Sequence, residues 1–434
     1  MPSTDPLKGK ILSLVDRDRL IELCSGLANT VSLTGEEKAV SLYIGTELER
    51  LGFTVKYQEV EPDRPNVIGT LHGSGGGPIL MFNAHMDHYD VPQLTEVTEN
   101  AILGRGLFNM KAAFACYIMA VEMLQRSKVS LKGDIIISGV VGEMESAPID
   151  EFSGKMYRGG GIGARYLMDH GVTADACILG EPTGMKLRIG SEGLIYCQVK
   201  IASASDVILK GANLVRALKE WEPEYQRKYQ HPLMLPQLDV GAINGGHPPR
   251  SNWNPTCSLY IYIRTLPNTH PLEVRRAIES ICASVLDKSD TYWEVDLFLS
   301  TMGSEMSKDE PIARSVATAH RDAFGSEVEF PPPAGYAISN DGSRYMEYGI
   351  PTVTYGPGFG GRRSLVDPYA QTTLRDWTTN PLGTRKGVSI ENLIKCAQLY
   401  ALTAFDICNM TLEEYQSARK SVPWFMTRSS TDFN

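Results

Sequence analysis

The sequence predicts an α/β fold whose mostly parallel central sheet is interrupted by a smaller α+β unit. Three observations carry that expectation. First, the apolar stretches MFNAH (81–85), DIIISGVVG (134–142) and ADACILG (174–180) each run directly into polar or acidic residues, with helix-forming segments between them. Apolar strand, polar tip and helix in repetition is the sequence form of a parallel sheet covered by helices. Second, residues 186–305 change character, to alternating strands and two amphipathic helices. Third, the α/β pattern returns after residue 305. The expected organisation is 1–185 and 306–434 as one α/β domain, with 186–305 inserted as a second.

Each element follows in order. Residues 15–52 place Leu20, Leu23 and Leu27, then Leu42, Ile44, Leu48 and Leu51, on recurring helical faces. FTVKYQEV (53–60) alternates as a strand, and NVIGTL (66–71) and ILMFNAH (79–85) are strands joined by a glycine-rich turn. NMKAAFACYIMAVEMLQRS (109–127) is Ala-rich and free of Gly and Pro, hence a helix. GIGARYLMDHG (161–171) reads as a helix closed by glycine. GGGIG (159–163) reads as a loop, because it neither follows a strand directly nor has dinucleotide-binding spacing. Within the insert, GLIYCQVKIASAS (193–205), SLYIYIRTL (258–266) and WEVDLFLST (293–301) alternate as strands. The stretches 211–229 and 270–288 are amphipathic, which suggests two βαβ-like halves. PIARSVATAHRDAF (311–324), IPTVTYGPG (350–358) and SIENLIKCAQLYALTAFDICNM (389–410) then read as helix, strand and closing helix.

Composition narrows the function classes. A net charge of −9 with no Lys/Arg cluster argues against nucleic acid as a partner, because binding a polyanion needs a clustered basic surface. The eight cysteines are scattered without a CxxC pair, which suits reduced, buried thiols in a cytoplasmic protein. The N-terminal residues lack the pattern of a secretory signal. No apolar run is expected to reach the length of a membrane span, so no membrane partner is expected.

Ligands of α/β sheets bind beyond the carboxyl ends of the strands. That rule makes His85, Glu143 and Glu181, at three strand tips, candidates for one shared site. A hydrolytic metal site needs ligands converging from separate elements, an open position and a nearby general base. Asp87 stands two residues beyond His85, where its carboxylate can fix the imidazole tautomer. His88 and Asp90 are expected to support the loop rather than bind metal. Any one of these residues alone reads more readily as an ordinary core or loop residue; their joint placement is the signal.

Six stretches occur in one order along nearly the whole chain: HMD…VP (85–92), GRGLFNMKAA (104–113), VVGEMES (140–146), ILGEPTG (178–184), RSNWNP…YIRTLP (250–267) and GIPTVTYGPG (349–358). Together they resemble the aminoacylase, acetylornithine deacetylase and succinyl-diaminopimelate desuccinylase family of metallohydrolases. The resemblance implies a metal-binding α/β domain interrupted by a lid that also dimerises. It further implies two bound divalent ions, a catalytic Glu that deprotonates water, and an amide as substrate. Carried over by motif, His85 and Glu181 are first-metal ligands, Asp87 is the motif aspartate and Glu143 is the catalytic base.

Departures from the family pattern matter as much. The bridging Asp is Asn109, the acid after the base is Met144, and no histidine follows His320 to supply the C-terminal ligand. The lid histidine position is Ala204. Glu145, Asp367 and Asp376 could offer substitute ligands, but each reads as an ordinary loop acid. The expectation is one weakly held divalent transition metal per chain, manganese or zinc, on His85, Asn109 and Glu181. Arg250, Asn252 and His247 on the lid loop, and Arg344 in NDGSRY, are candidate contacts for a substrate carboxylate. Losing the second ion and the lid histidine weakens stabilisation of an amide's oxyanion. That favours a small carboxylate-bearing substrate with its own electron sink, as in the aromatic-amine branch of the family, which replaces the ring amine of 5-nitroanthranilate by hydroxyl. Two alternatives stand beside it: an N-acyl amino acid deacylase or dipeptidase with substitute ligands, and a non-catalytic small-molecule binder. A homodimer through the lid, or a higher homo-oligomer, is the expected assembly.

Overall fold

The structure is a computed structural model and describes residues 5–88, 94–144, 159–232, 234–246, 255–267, 269–287, 289–330, 339–358 and 387–420. Two sheets organise it, each with its own hydrophobic core. The larger sheet has six strands, in the order Thr54–Glu61, Arg64–Leu71, Ile135–Val140, Leu80–His85, Ala176–Leu179 and Thr352–Thr354. The last four pair in parallel, while the first two join as an antiparallel hairpin at one edge. A sheet that is parallel in its middle is covered on both faces, and Leu80–His85 and Ile135–Val140 are buried at every position.

Helices Ala112–Ser127 and Ile390–Cys408 pack together over the central strand. The rings of Phe82, Tyr117 and Tyr400 pack against one another at tilted angles, with centroids 4.9 Å apart for Phe82–Tyr117 and for Tyr117–Tyr400. Tyr117 donates its hydroxyl to the Asn83 carbonyl at 2.7 Å, and Tyr400 donates to the Tyr355 carbonyl at 2.6 Å. Buried tyrosines thus fill volume and also satisfy backbone groups at the strand ends. The stretch Leu107–Ser127 is long and apolar enough to cross a membrane, which corrects the expectation that no run reaches that length. Here it is the central helix of the core, 83% buried within its most apolar window.

The second sheet has four antiparallel strands, in the order Gln237–Gly246, Thr256–Thr265, Gly193–Ser203 and Thr291–Thr301. Helices Val207–Lys228 and Pro271–Val285 cover one face. The two βαβ units interleave rather than sit side by side, because the outer strand Gln237–Gly246 pairs with Thr256–Thr265 and the outer strand Thr291–Thr301 pairs with Gly193–Ser203, each the inner strand of the other unit. The edge strand Gln237–Gly246 was not among the sequence-predicted strands: its Gly241, Gly245 and Gly246 dilute the strand pattern.

Candidate active site

Strand register brings the three tips together. His85 pairs with Val140, three residues before Glu143, and Asn83 pairs with Leu179, two residues before Glu181. The central strand therefore ends between two acids delivered by its parallel neighbours. Asn109 arrives from the turn Leu107–Lys111, which opens the central helix.

His85 is fully buried. Its Nδ1 lies 3.0 Å from the Asp87 backbone carbonyl and 3.5 Å from the Asp87 carboxylate. The hydrogen bond that fixes the tautomer thus goes to the carbonyl, not to the carboxylate as expected from sequence. It directs Nε2 at Asn109 Oδ1 (3.0 Å), Glu143 Oε2 (3.6 Å) and Glu181 Oε1 (3.8 Å). One imidazole nitrogen facing two carboxylates and an amide oxygen is a donor set that suits a borderline divalent transition metal. The ligand atoms of His85, Glu143 and Glu181 all lie within 4.8 Å of one another, so the residues fit such an ion.

The carboxylate of Asp87 does different work. It accepts the backbone N–H of Glu143 at 3.1 Å and of Met144 at 3.0 Å, and the Thr34 hydroxyl at 2.8 Å. The two preceding amides are held likewise: Val141 N–H by Asn66 Oδ1 at 3.0 Å, and Gly142 N–H by Glu37 Oε1 at 3.2 Å. Four successive amides of the turn carrying Glu143 are bound by buried side chains, and Gly142 takes a positive φ of 64° that favours glycine. Glu37 is itself locked by Arg64 at 2.7 and 3.0 Å. Glu143 is therefore set on a rigid mount.

Electrostatics match a cation-seeking site. Burial pushes the Glu143 carboxyl well above its usual range, partly opposed by His85. Burial likewise raises Glu181, opposed by His85 and Arg188. Burial alone would lower His85, but Glu143, Asp87 and Glu181 outweigh it and hold the imidazole well above its ordinary value. Asp87 goes the other way: burial would raise it, yet the nearby His85 imidazole and its bonds to the Thr34 hydroxyl and the Glu143 amide keep it low. Paired groups pushed apart in this way mark a functional site.

The far side of Nε2 is neutral. Asn109 Nδ2 faces the Met144 sulfur at 3.9 Å, and Met144 is buried. His88 is buried and accepts the Ser32 amide at 3.3 Å, the supporting part expected for it. Ala204 is exposed beyond the end of Gly193–Ser203. Arg344 is buried, with its guanidinium tied to Glu347, the Ser300 carbonyl and the Thr301 hydroxyl. That leaves Nε alone without a partner among the described residues, so the fork expected for a substrate carboxylate is already engaged. His247, Arg250, Asn252, Asp90, Glu145, Asp367 and Asp376 lie outside the described residues.

Sequence reasoning passed over Glu37, Asn66 and Asp341. Asp341 stands just before helix Gly342–Glu347, is 2% exposed, and has an Oδ2 with no partner among the described residues. Burial raises its carboxyl to about 7, opposed by His85 and reinforced by Glu181 and Asp87. Beside Glu143 it lines a cavity of about 20 Å³, with Gly160, Gly161, Asn340, Arg344 and, from the four-stranded unit, Leu194, Leu299 and Thr301.

A histidine and two acids gathered at the carboxyl edge of parallel strands, one of them a rigidly mounted glutamate, suit a metal-dependent hydrolase. Residues 81–376 match the model of peptidase family M20/M25/M40, and the chain belongs to that family. It is 24% identical over 368 residues to N-formyl-4-amino-5-aminomethyl-2-methylpyrimidine deformylase of Bacillus subtilis, covering 74% of this chain and 82% of that one. It is also 24% identical over 387 residues to acetylornithine deacetylase of Aliivibrio salmonicida, covering 82% of this chain and 93% of that one. A dinuclear metal-binding peptidase of the family from Bacillus subtilis shares the fold, with a TM-score of 0.59, 15% identity, and 91% of this chain and 99% of that chain covered.

Proposed function

We propose that this chain hydrolyses the C–N bond of an activated aromatic amine bearing a carboxylate, using one divalent metal, manganese or zinc. The best candidate reaction is 5-nitroanthranilate plus water to 5-nitrosalicylate plus ammonia. The observation that carries this reading is the contact of Asn109 with Met144 where relatives with two ions need acids. His85, Asn109 and Glu181 would hold the ion, which when bound supplies Lewis acidity toward water and substrate. Glu143 takes a proton from water as the oxygen adds to the ring carbon bearing the amine. The nitro group, para to that carbon, accepts the displaced charge, so the substrate does what an oxyanion site does for an amide. Glu143 then returns the proton to the departing amine, which leaves as ammonia.

The relatives' names favour a second reading, hydrolysis of an N-acyl or N-formyl amide. Ammonia release and the loss of substrate absorbance, measured on manganese-loaded protein with 5-nitroanthranilate, separate the two. Turnover of N-acetylornithine but not of the nitro compound would sink the aromatic reading.

The four-stranded unit is also read as a lid and homodimer interface. Ile208 (50% exposed), Leu209 (58%) and Ile243 (47%) support this, as an apolar group where helix Val207–Lys228 starts beside the edge strand. A cytoplasmic location belongs to the same reading, supported by eight unpaired, buried cysteines.

A further inference from the structure

The chain passes between its two cores twice. On the way out, Ile189 packs in the core of the six-stranded sheet and Ile195 in that of the four-stranded sheet; on the return, Val295 belongs to the second core and Met306 to the first. The two passages meet. Ser304 pairs with Ser191 and Glu305 with Gly190 in a short antiparallel ladder, and Met306 donates its N–H to the Ile189 carbonyl at 2.9 Å. Beside that ladder, a Cβ on Gly193 would stand 2.6 Å from the Gly303 nitrogen, and one on Gly303 would stand 2.8 Å from the Gly193 nitrogen. Backbones this close need glycine at the crossing. Two short passages joined at one place form a pivot, and by themselves they do not fix the angle between the units.

Helix Gly342–Glu347 supplies what the pivot lacks. Its Ser343 is fully buried and places Oγ 2.5 Å from Ser191 Oγ and 3.1 Å from Ser304 Oγ, one on each passage. Those two hydroxyls are 3.4 Å apart, so the three bond one another only while both passages and the helix are in place. One residue on, Arg344 donates through Nη2 to the Ser300 carbonyl at 3.3 Å and to the Thr301 hydroxyl at 3.2 Å, at the end of strand Thr291–Thr301. Its Nη1 is held by Glu347 of the same helix at 3.3 Å. Immediately before the helix stands Asp341, in the cavity beside Glu143 that Leu194, Leu299 and Thr301 of the four-stranded unit also line. A single turn of chain thus touches the pivot, a wall of the site and the space next to Glu143.

We propose that Ser343 and Arg344 are positioning residues: they latch the four-stranded unit at one angle and, through the same turn, keep Asp341, Leu299 and Thr301 aligned around Glu143. The proposal goes beyond the choice of substrate. It holds for an aromatic amine and for an amide alike, because it concerns how the walls of the site are set rather than what they enclose.

Hydrogen exchange of the full chain, read by mass spectrometry, tests the latch. Ser343→Ala should speed exchange about threefold to tenfold in peptides covering 188–194 and 300–306, the scale of one lost hydrogen bond. Peptides covering 80–85 and 135–140 in the central sheet should keep wild-type rates. Adding Ser304→Ala should change little more, because hydroxyls that act as one unit are not additive. The positioning role is read on the manganese-loaded chain, with whichever of 5-nitroanthranilate and N-acetylornithine the wild type converts. Ser343→Ala and Arg344→Met should each lower kcat about tenfold or more, as a misplacement of about 1 Å does, with the metal content unchanged. Exchange that rises alike throughout the chain or not at all, fully additive serines, or full kcat in both variants would each overturn the proposal.

Discussion

The two halves of the site around the His85 imidazole differ in kind. The charged half comprises Asp87 near Nδ1 and Glu143 and Glu181 near Nε2, and Asp87, with Asn66 and Glu37, fixes the four consecutive amides of the turn that carries Glu143. In the other half stand Asn109 and Met144, both uncharged, meeting at 3.9 Å. The same fold thus gives one half of its site ionisable groups and the other half none. A charged half is needed to hold a cation and move a proton. A neutral half lowers affinity for a second cation, since each missing carboxylate removes one unit of charge from the coordination sphere.

The largest expected effect breaks the charged half at its base. Glu143→Gln keeps the turn and its amide bonds but removes the proton acceptor, and should lower kcat by about 10²–10⁴-fold. Steady-state kinetics check this, with a melting temperature no lower than that of the wild type showing that the fold is kept; activity within tenfold of wild type would mean that Glu143 is not the base. Next, His85→Ala should abolish metal retention. Metal analysis after loading with excess manganese should find one ion per chain in the wild type and essentially none in the variant. Two firmly held ions in the wild type would show that the neutral half has acids of its own.

A third change sharpens the contrast by charging the neutral half. Asn109→Asp should tighten manganese about tenfold, and adding Met144→Glu should recruit a second ion, both read by titration calorimetry. Unchanged stoichiometry in the double variant would show that two acids are not sufficient to rebuild the second site.

The smallest effect concerns an acid that lacks the imidazole enjoyed by Glu143 and Glu181. Glu192, 1% exposed, is raised by burial to about 7; its Oε2 has no hydrogen-bond partner among the described residues, and Arg264 Nε stands 4.0 Å away. Its folded value lies above the unfolded one near 4.5, so the folded state binds the proton more tightly. Stability therefore falls as pH rises from about 4.5 to 7, and the full penalty applies above 7. Glu192→Gln should stabilise the protein by on the order of 1 kcal/mol at pH 8 and hardly at all at pH 4, by denaturant melts at both. An equal gain at both values would contradict this account.

The charged half was legible in the sequence because strands buried on both faces must be continuously apolar. A histidine or acid ending such a run announces itself, as His85, Glu143 and Glu181 do. Asn109 and Met144 were legible only as departures from a family pattern. The mount was not legible at all. Glu37 reaches Gly142 across 105 residues and Asn66 reaches Val141 across 75, and neither carries a local signature. Asp341 sits in an ordinary-looking turn sequence and gains meaning only from what surrounds it. The edge strand Gln237–Gly246 escaped because its glycines obscure a pattern that pairing with Thr256–Thr265 makes good.

The helix that begins beyond Asn109 is apolar enough to pass for a membrane segment, and it is also the piece that presents Asn109 to His85. Docking it hides a greasy surface that would otherwise invite aggregation, and in the same event completes the ring of donors around Nε2. Chains that have not yet finished collapsing thus also lack a finished site. An ion taken up at this centre would therefore double as a report on maturation, counting the molecules whose centre has closed.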